Sequence, residues 1–479
     1  MIYENLVEIS NIYPNKIALK DSTTELTYED FLREVHLFAS FLRYEHDIDN
    51  QSNIIIYLPN SIGFAVSFFA INYCGAISVL IDTKTNSEIV DIITENNVRI
   101  IISDTDGELR INDIFFKNQI QFDNIKIINM DIKLSYAINE YAKHDFTTME
   151  RNKSDNAMIL YTSGSTGKPK GILNNNKNLI ESFKNYTNTL KIKSDDSFIA
   201  VTPFFHSYCF GSCFLAGLLN GCTLFIFSSF RPKQILLMIT KKKVTFFHGV
   251  PFMYDILVEF MQKDISDYNF KSIRYFISAG GILNQEIQNR FYRITGMLIH
   301  QEYGSSETGT ISINLSTNIE KSTSVGKPLE NVFINLVNIE GFNCLEITSK
   351  AIAARYVNGT KFTNKYTLED ICSIDDEGNL YIIGRKNRVI NISGLKVSPD
   401  EVEYVLHQHC KVSNVLVRGI KNSTYGEIIE ALVIRKDDLL TVDELIKHCS
   451  KSLAFYKIPK LFKWVESFET SSLNKIKML

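Results

Sequence analysis

Ile62 to Ile81 reads I-G-F-A-V-S-F-F-A-I-N-Y-C-G-A-I-S-V-L-I, twenty residues without a charge. The length suits either a membrane-spanning helix or a helix and strand buried in a core. Gly63, Ser67, Asn72, Gly75 and Ser78 interrupt the run. Gly75 and Ala76 look like a helix end, and I-S-V-L-I after them like a buried strand. The stretch is therefore read as helix, turn and strand inside an α/β core.

Working outward, the same alternation recurs. Upstream, Asn53–Pro59 (N-I-I-I-Y-L-P) reads as a strand. Downstream come a helix at Ser87–Asn96 and a strand at Arg99–Ser103. In the middle of the chain, strands are expected at Asp196–Pro203, Cys222–Phe227, Val244–His248 and Arg274–Gly281. Helices are expected at Phe210–Leu219 and Pro232–Lys242. Short apolar strands separated by helix-length segments imply parallel β-α-β units. From about residue 385 the chain becomes more charged and reads as a small α+β unit. Its helix starts at Ser398–Leu406, with Pro399 and two acids in the first turn.

The bulk composition narrows the function. The 479 residues suffice for two or three domains. A net charge of −3, from 51 basic and 54 acidic residues well mixed, gives no general pull toward nucleic acid or an anionic membrane. Eight cysteines without a C-x-x-C pair read as buried free thiols in a reducing compartment. The first residues, M-I-Y-E-N-L-V-E-I, lack the basic-then-apolar pattern of a signal peptide, so a cytoplasmic protein is expected.

Tyr161 to Gly171 (Y-T-S-G-S-T-G-K-P-K-G) concentrates hydroxyls, glycines and lysines after the apolar strand A-M-I-L-Y. It is not a Walker loop. Thr162 stands where that motif needs its first Gly, and Pro169 where it needs Ser or Thr. Physically it still suits phosphate. Gly164, Gly167 and Gly171 allow backbone N–H groups to approach anionic oxygens. Thr162, Ser163, Ser165 and Thr166 add donors, and Lys168 and Lys170 add charge.

T-S-G-S-T-G-K-P-K-G resembles the signature of the adenylate-forming superfamily, which includes acyl-CoA and aryl-CoA ligases, nonribosomal peptide synthetase adenylation domains and firefly luciferase. Further motifs follow in family order over essentially the whole chain. The resemblance implies a large N-terminal domain of stacked α/β sheets with a β-barrel-like subdomain, and a small mobile α+β C-terminal domain. The domains would span residues 1–384 and 389–479, with a hinge at 385–388. It also implies activation of a carboxylate with ATP and Mg²⁺ to acyl-AMP, followed by transfer to the thiol of coenzyme A. The alternatives are transfer to the phosphopantetheine of a carrier protein acting in trans, and a non-catalytic nucleotide-binding homologue. No carrier domain is expected after residue 479.

The resemblance assigns roles by position. Y-G-S-S-E-T-G at Tyr303–Gly309 would place Tyr303 against adenine, with Gly304 beside it, Ser306 at the α-phosphate and Glu307 on Mg²⁺. S-A-G-G at Ser278–Gly281 would put Gly280 where adenine and acyl group meet. Asp370, in Y-T-L-E-D-I, would bind the ribose hydroxyls through both carboxylate oxygens, although Leu368 and Glu369 replace the usual Thr and Gly. Arg385 would contact ribose or phosphate, and Asn387 would be the hinge. In V-I-N-I-S-G-L-K-V, Asn391 replaces a usual Lys, Gly394 would line the thiol tunnel and Lys396 would lie near the reaction centre. Lys475, in S-S-L-N-K-I, would bridge carboxylate and α-phosphate.

The acid pocket is expected around Pro203–Gly211 (P-F-F-H-S-Y-C-F-G) and His248–Pro251 (H-G-V-P). Amino-acid-activating relatives carry an Asp there to bind the α-ammonium; His206 and Ser207 stand here instead. Phe205, Ser207, Tyr208, Phe210, His248 and Gly249 would form the walls, with His206 at the acyl site. An aryl or fatty acid is the expected substrate.

Overall fold

The computed structural model describes the chain apart from residues 51, 86–87, 120–123, 134–154, 163–169, 264, 266, 393–394, 423–425 and 469–479. Ile62–Cys74 is an α-helix. The Ser61 hydroxyl accepts from the Phe64 N–H at its start, and Gly75 closes it at φ 91°. Only a residue without Cβ adopts that angle at no cost. The chain then re-enters at once as the strand Ile77–Leu80. Every residue from Phe64 to Cys74 is buried. Such a helix must be covered on all sides. Phe31 covers it from the helix Tyr28–His46, 5.6 Å from Phe69 between ring centroids. Phe204 and Phe210 cover another side, 5.2 Å from Phe64 and 4.9 Å from Phe68. Among the described residues, no helix is long and apolar enough to cross a membrane.

Two sheets flank this helix. The first has seven strands, in the order Arg355–Tyr356, Lys170–Asn175, Asn156–Thr162, Ile77–Leu80, Asn53–Tyr57, Ile100–Ser103, Lys126–Asn129. The last five are parallel. The second has nine, and its central six, Ile299–Ser305, Tyr275–Ser278, Phe246–Gly249, Ser197–Ala200, Thr223–Ile226 and Ile17–Lys20, are parallel. Both faces are covered, which explains the continuous apolar runs. Ile54 and Ile56 point into the core shared by the two sheets, while Ile55 points to the outer helices. The outer face of the nine-stranded sheet packs on Pro232–Lys242, Pro251–Met261 and Gln285–Thr295. The layers thus run helix, sheet, helix, sheet, helix.

Two smaller β units follow. Phe333–Ile339, Phe342–Thr348, Lys365–Ile374 and Leu380–Arg385 form a four-stranded antiparallel sheet. Beyond it, strands Ile390–Ile392, Leu395–Val397, Val412–Asn422, Gly426–Arg435 and Leu461–Trp464 pack with helices Pro399–His407 and Val442–Cys449 around a core of their own.

The segment expected as a helix over Phe210–Leu219 begins earlier and is irregular. Ser207–Cys209 and Ala216–Leu218 are α-turns around a π-helical stretch, Phe210–Leu215. Such wide turns often sit at functional sites, and periodicity in the sequence does not reveal them.

Candidate functional site

The glycine loop is flanked by two paired strands. Asn156–Thr162 runs antiparallel to Lys170–Asn175, with Thr162 opposite Lys170 and Tyr161 opposite Gly171. Ser163, Gly164, Ser165, Thr166, Gly167 and Lys168 lie outside the described residues. Gly171 does not serve the phosphate as expected. It is a strand residue, and a Cβ there would stand 2.7 Å from Val357 Cγ2 and 2.9 Å from the Tyr161 ring. Its missing side chain is required by packing.

The hairpin leads to Glu307. The Lys170 ammonium lies 5.9 Å from the centroid of the Tyr356 ring. The Tyr356 hydroxyl donates to Glu307 Oε1 at 2.9 Å and lies 2.9 Å from the Tyr366 hydroxyl. Burial, then Tyr366, then Glu307 raise the Tyr356 pKa, so this phenol stays a donor at any working pH. No group of three or more His, Cys, Asp or Glu residues that could hold a metal occurs among the described residues. A single carboxylate suits Mg²⁺, which keeps water and phosphate oxygens as most of its ligands.

Tyr303, Asp370 and Arg385 form a second group. Asp370 and Arg385 are cross-strand partners. The Arg385 Nε donates to Asp370 Oδ1 at 3.0 Å, and the Tyr303 hydroxyl donates to Oδ2 at 2.5 Å. Asp370 is 7% exposed. Both oxygens already hold protein donors, so a ribose would use the lone pairs that remain. Gly304 is exposed where Tyr303 and Glu307 flank it, and a Cβ there would stand 2.3 Å from the Gly309 carbonyl oxygen.

Residues expected on the acid side and on the nucleotide side meet at one point. The Ser207 and Ser306 hydroxyls are 3.2 Å apart. Ser207 opens the irregular helix, and His206 stands at its N-cap with its ring 4.7 Å from that of Phe205. Tyr208 donates to the carbonyls of Gly249 and Ile277, 3.2 Å each, tying this helix to two strand ends. Gly280 follows the strand Tyr275–Ser278 at φ 79°.

Three residues expected as pocket walls are buried or closely packed in this structure. Phe210 is 1% exposed and packs on Phe68 and Phe214, so it belongs to the central core. His248 is fully buried between Phe198 and Tyr186, and burial drives its pKa down to about 3, leaving it neutral. Gly249 offers no open wall, since a Cβ there would meet the Phe247 and Tyr254 rings at 2.9 and 3.0 Å.

At the junction with the C-terminal unit, Asn387 lies in a right-handed 3₁₀ turn, Lys386–Arg388. Arg388 bonds Asp400, Glu403 and the Val417 carbonyl, and Asp400 Oδ2 also accepts from the Arg385 N–H at 3.1 Å. Lys396 lies on a strand opposite Asn391. Gly394 and Lys475 lie outside the described residues.

The sequence reading missed several residues here. Tyr356, which belongs to no motif, bonds Glu307, and Tyr366, the first residue of the segment read for Asp370, lies against the Tyr356 hydroxyl from a separate strand. Glu302 did carry a signal, a carboxylate directly before Tyr303 in an otherwise uncharged strand, I-H-Q-E-Y. It is fully enclosed, and burial raises its pKa to about 7.

A family model described as AMP-binding enzyme matches residues 7–350, and one described as AMP-binding enzyme C-terminal domain matches residues 401–475. An uncharacterised acyl-CoA ligase of Bacillus subtilis is 28% identical, over 99% of this chain and 95% of its own. A 4-coumarate–CoA ligase of Nicotiana tabacum is also 28% identical, over 99% and 92%. The o-succinylbenzoate CoA synthetase of Bacillus subtilis, solved with its acyl-adenylate, superposes with a TM-score of 0.85 at 23% identity, over 98% and 96%.

Proposed function

The chain belongs to the AMP-binding enzyme family, and from that premise we propose that it activates an aryl or fatty carboxylic acid with ATP and passes the acyl group to coenzyme A. The observation that supports this best is the 3.2 Å approach of Ser207 to Ser306. It sets the acid-side helix against the phosphate-side strand, where a carboxylate and an α-phosphate have to meet.

The acid's carboxylate attacks the α-phosphorus in line, an O–P bond forms, and pyrophosphate leaves. Two anions must approach, so charge has to be neutralised and geometry held. The glycine loop with Lys168 and Lys170 takes the triphosphate, and Asp370, Arg385 and Tyr303 hold the nucleoside. Glu307, steadied by Tyr356, would hold Mg²⁺, which when bound supplies positive charge to the phosphates. Lys475 serves where carboxylate and α-phosphate meet. The division at residues 385–388 then allows the C-terminal unit to turn about Asn387. That motion withdraws Lys475 and brings Gly394 and Lys396 to the site. A thiolate attacks the acyl carbon, a C–S bond forms, and AMP leaves with the carboxyl oxygen. A phosphopantetheine arm on a carrier protein presents the same thiol and is the second acceptor to assay.

Acid-dependent exchange of labelled pyrophosphate into ATP tests this over benzoates, cinnamates, fatty acids and amino acids. We expect exchange with an aryl or fatty acid, lost in Lys475→Ala. Exchange with amino acids alone would overturn the substrate class. No exchange with any acid, despite ATP binding, would overturn the activity.

A further inference from the structure

The core behind Ser207 and Tyr208 contains polar groups that the activation chemistry does not use. Glu302 is 6% exposed and sits on the strand that continues into Tyr303 and Gly304. The Ser212 hydroxyl donates to Glu302 Oε1 at 2.6 Å, and the Thr310 hydroxyl donates to the same oxygen at 2.7 Å. Oε2 has no partner of good hydrogen-bond geometry among the described residues, although the Tyr186 hydroxyl interacts with the carboxyl. Nearby, the Tyr186 hydroxyl lies 2.9 Å from His248 Nε2, and His248 Nδ1 has no partner among the described residues either. The Tyr208 and His248 rings are 5.8 Å apart. After burial, the Glu302 carboxyl is the main influence raising the pKa of both Tyr186 and Tyr208, so the two tyrosines and the carboxyl share one environment.

This arrangement is lopsided for a structural network. Two donors converge on one carboxyl oxygen while the other has none of good geometry. A buried carboxyl that served only the fold would have both oxygens satisfied. The His248 ring stacks with Phe198 and Phe246, 5.6 and 6.2 Å between centroids. The cluster also borders the proposed acid pocket. Ser212 lies one helical turn beyond Tyr208, and Thr310 pairs across the hairpin with Gly304.

We propose that Glu302, held by Ser212 and Thr310 and flanked by Tyr186 and His248, forms a polar end to the acyl pocket. It selects acids whose tail carries a hydrogen-bond donor, a hydroxyl or an amino group. This rests on the reading of Ser207 and Tyr208 as pocket walls and names the substrate class within it. A donor on the tail completes Oε2. A methyl group in its place strands that oxygen, and sites of this kind discriminate far more strongly than apolar ones.

The test uses the full chain and matched acids: hydroxy-, amino- and methylbenzoates, and ω-hydroxy-, ω-amino- and unsubstituted alkanoates. Dissociation constants are measured by calorimetry with a non-hydrolysable ATP analogue present, alongside pyrophosphate exchange. In at least one positional series the wild type should bind the donor acid about 10-fold or more tighter than the methyl isostere. Glu302→Leu should bring that ratio to within about twofold or invert it. Glu302→Gln, nearly isosteric, should retain preference for a hydroxyl and lose preference for an ammonium, which separates the two donors. It also carries the decision if the Leu variant does not fold. Equal binding of every matched pair, or an unchanged ratio in the variants, overturns the proposal and marks the cluster as structural. Exchange with apolar acids alone also overturns it, while leaving acid activation standing. No exchange with any acid, together with a binding ratio that depends on Glu302, removes the activation chemistry and retains the selective pocket.

Discussion

Replacing Tyr356 with Phe removes one oxygen from the surroundings of Glu307 and little else. The ring keeps its edge contact with Phe362, 4.7 Å between centroids, and its position under Lys170. Stability should therefore fall by no more than the lost bond contributes, at most about 3 kcal/mol. The lost bond is a donor to a carboxylate at 2.9 Å, the kind worth about 1.5–3 kcal/mol net. If Glu307 is useful only when fixed in place, that energy appears in the transition state for adenylation. It corresponds to about a 10- to 150-fold loss in kcat/KM for MgATP. Tyr366 lies 2.9 Å from the Tyr356 hydroxyl and offers a replacement donor, which places the expectation near the lower end. The assay is pyrophosphate exchange across a Mg²⁺ titration, with half-saturation moving to higher Mg²⁺. The double variant with Glu307→Gln should be no worse than Glu307→Gln alone, because the two residues act as a unit. A Tyr356→Phe enzyme within twofold of wild type at limiting Mg²⁺ would refute the reasoning. So would full additivity in the double variant.

Two further predictions concern the fold around the site. Arg388→Met leaves Asp400 and Glu403, both largely buried, without their cation. We expect a cost of about 3–5 kcal/mol, read as an early calorimetric transition and as cleavage of the C-terminal unit under limited proteolysis. His407 is held neutral when folded, its pKa lowered to about 4 by burial and then by Lys436, against 6.5 ordinarily. Its contribution is therefore complete above pH 6.5 and lost as pH falls toward 4, by at most about 3 kcal/mol at 1.36 kcal/mol per unit. His407→Gln should flatten the acid limb of the melting curve over that window, and an unchanged limb would count against it.

The parts of this molecule legible in its sequence are those written locally. Ile62–Ile81 announced its helix, its glycine stop and its strand because each signal lies within a few residues. The motifs expected to bind the nucleotide stand out because they combine glycine, hydroxyl and charge in short runs. What stayed hidden depends on distant partners. Tyr186 meets His248 across 62 residues, and Ser212 meets Glu302 across 90. No periodicity encodes such meetings. Phe210 and Gly171 misled for a related reason: an aromatic or a glycine beside a functional motif looks the same whether it faces a ligand or a neighbouring side chain. The π-helical stretch Phe210–Leu215 is equally invisible, since one extra residue per turn leaves an apolar segment apolar.

The wholly apolar helix Ile62–Cys74 also has a history during synthesis. Its last cover comes from Phe204, Phe210 and Phe214, the last of them 140 residues after Cys74. At 5–20 residues per second the ribosome needs roughly 7–30 s to make that stretch. For that time the growing chain carries a greasy, uncharged segment that native contacts shield on the Phe31 side but not on the side Phe204, Phe210 and Phe214 will cover. The stretch that completes the interior of the finished enzyme is thus its main hazard while it is being made, and any fragment ending before residue 214 inherits that hazard permanently.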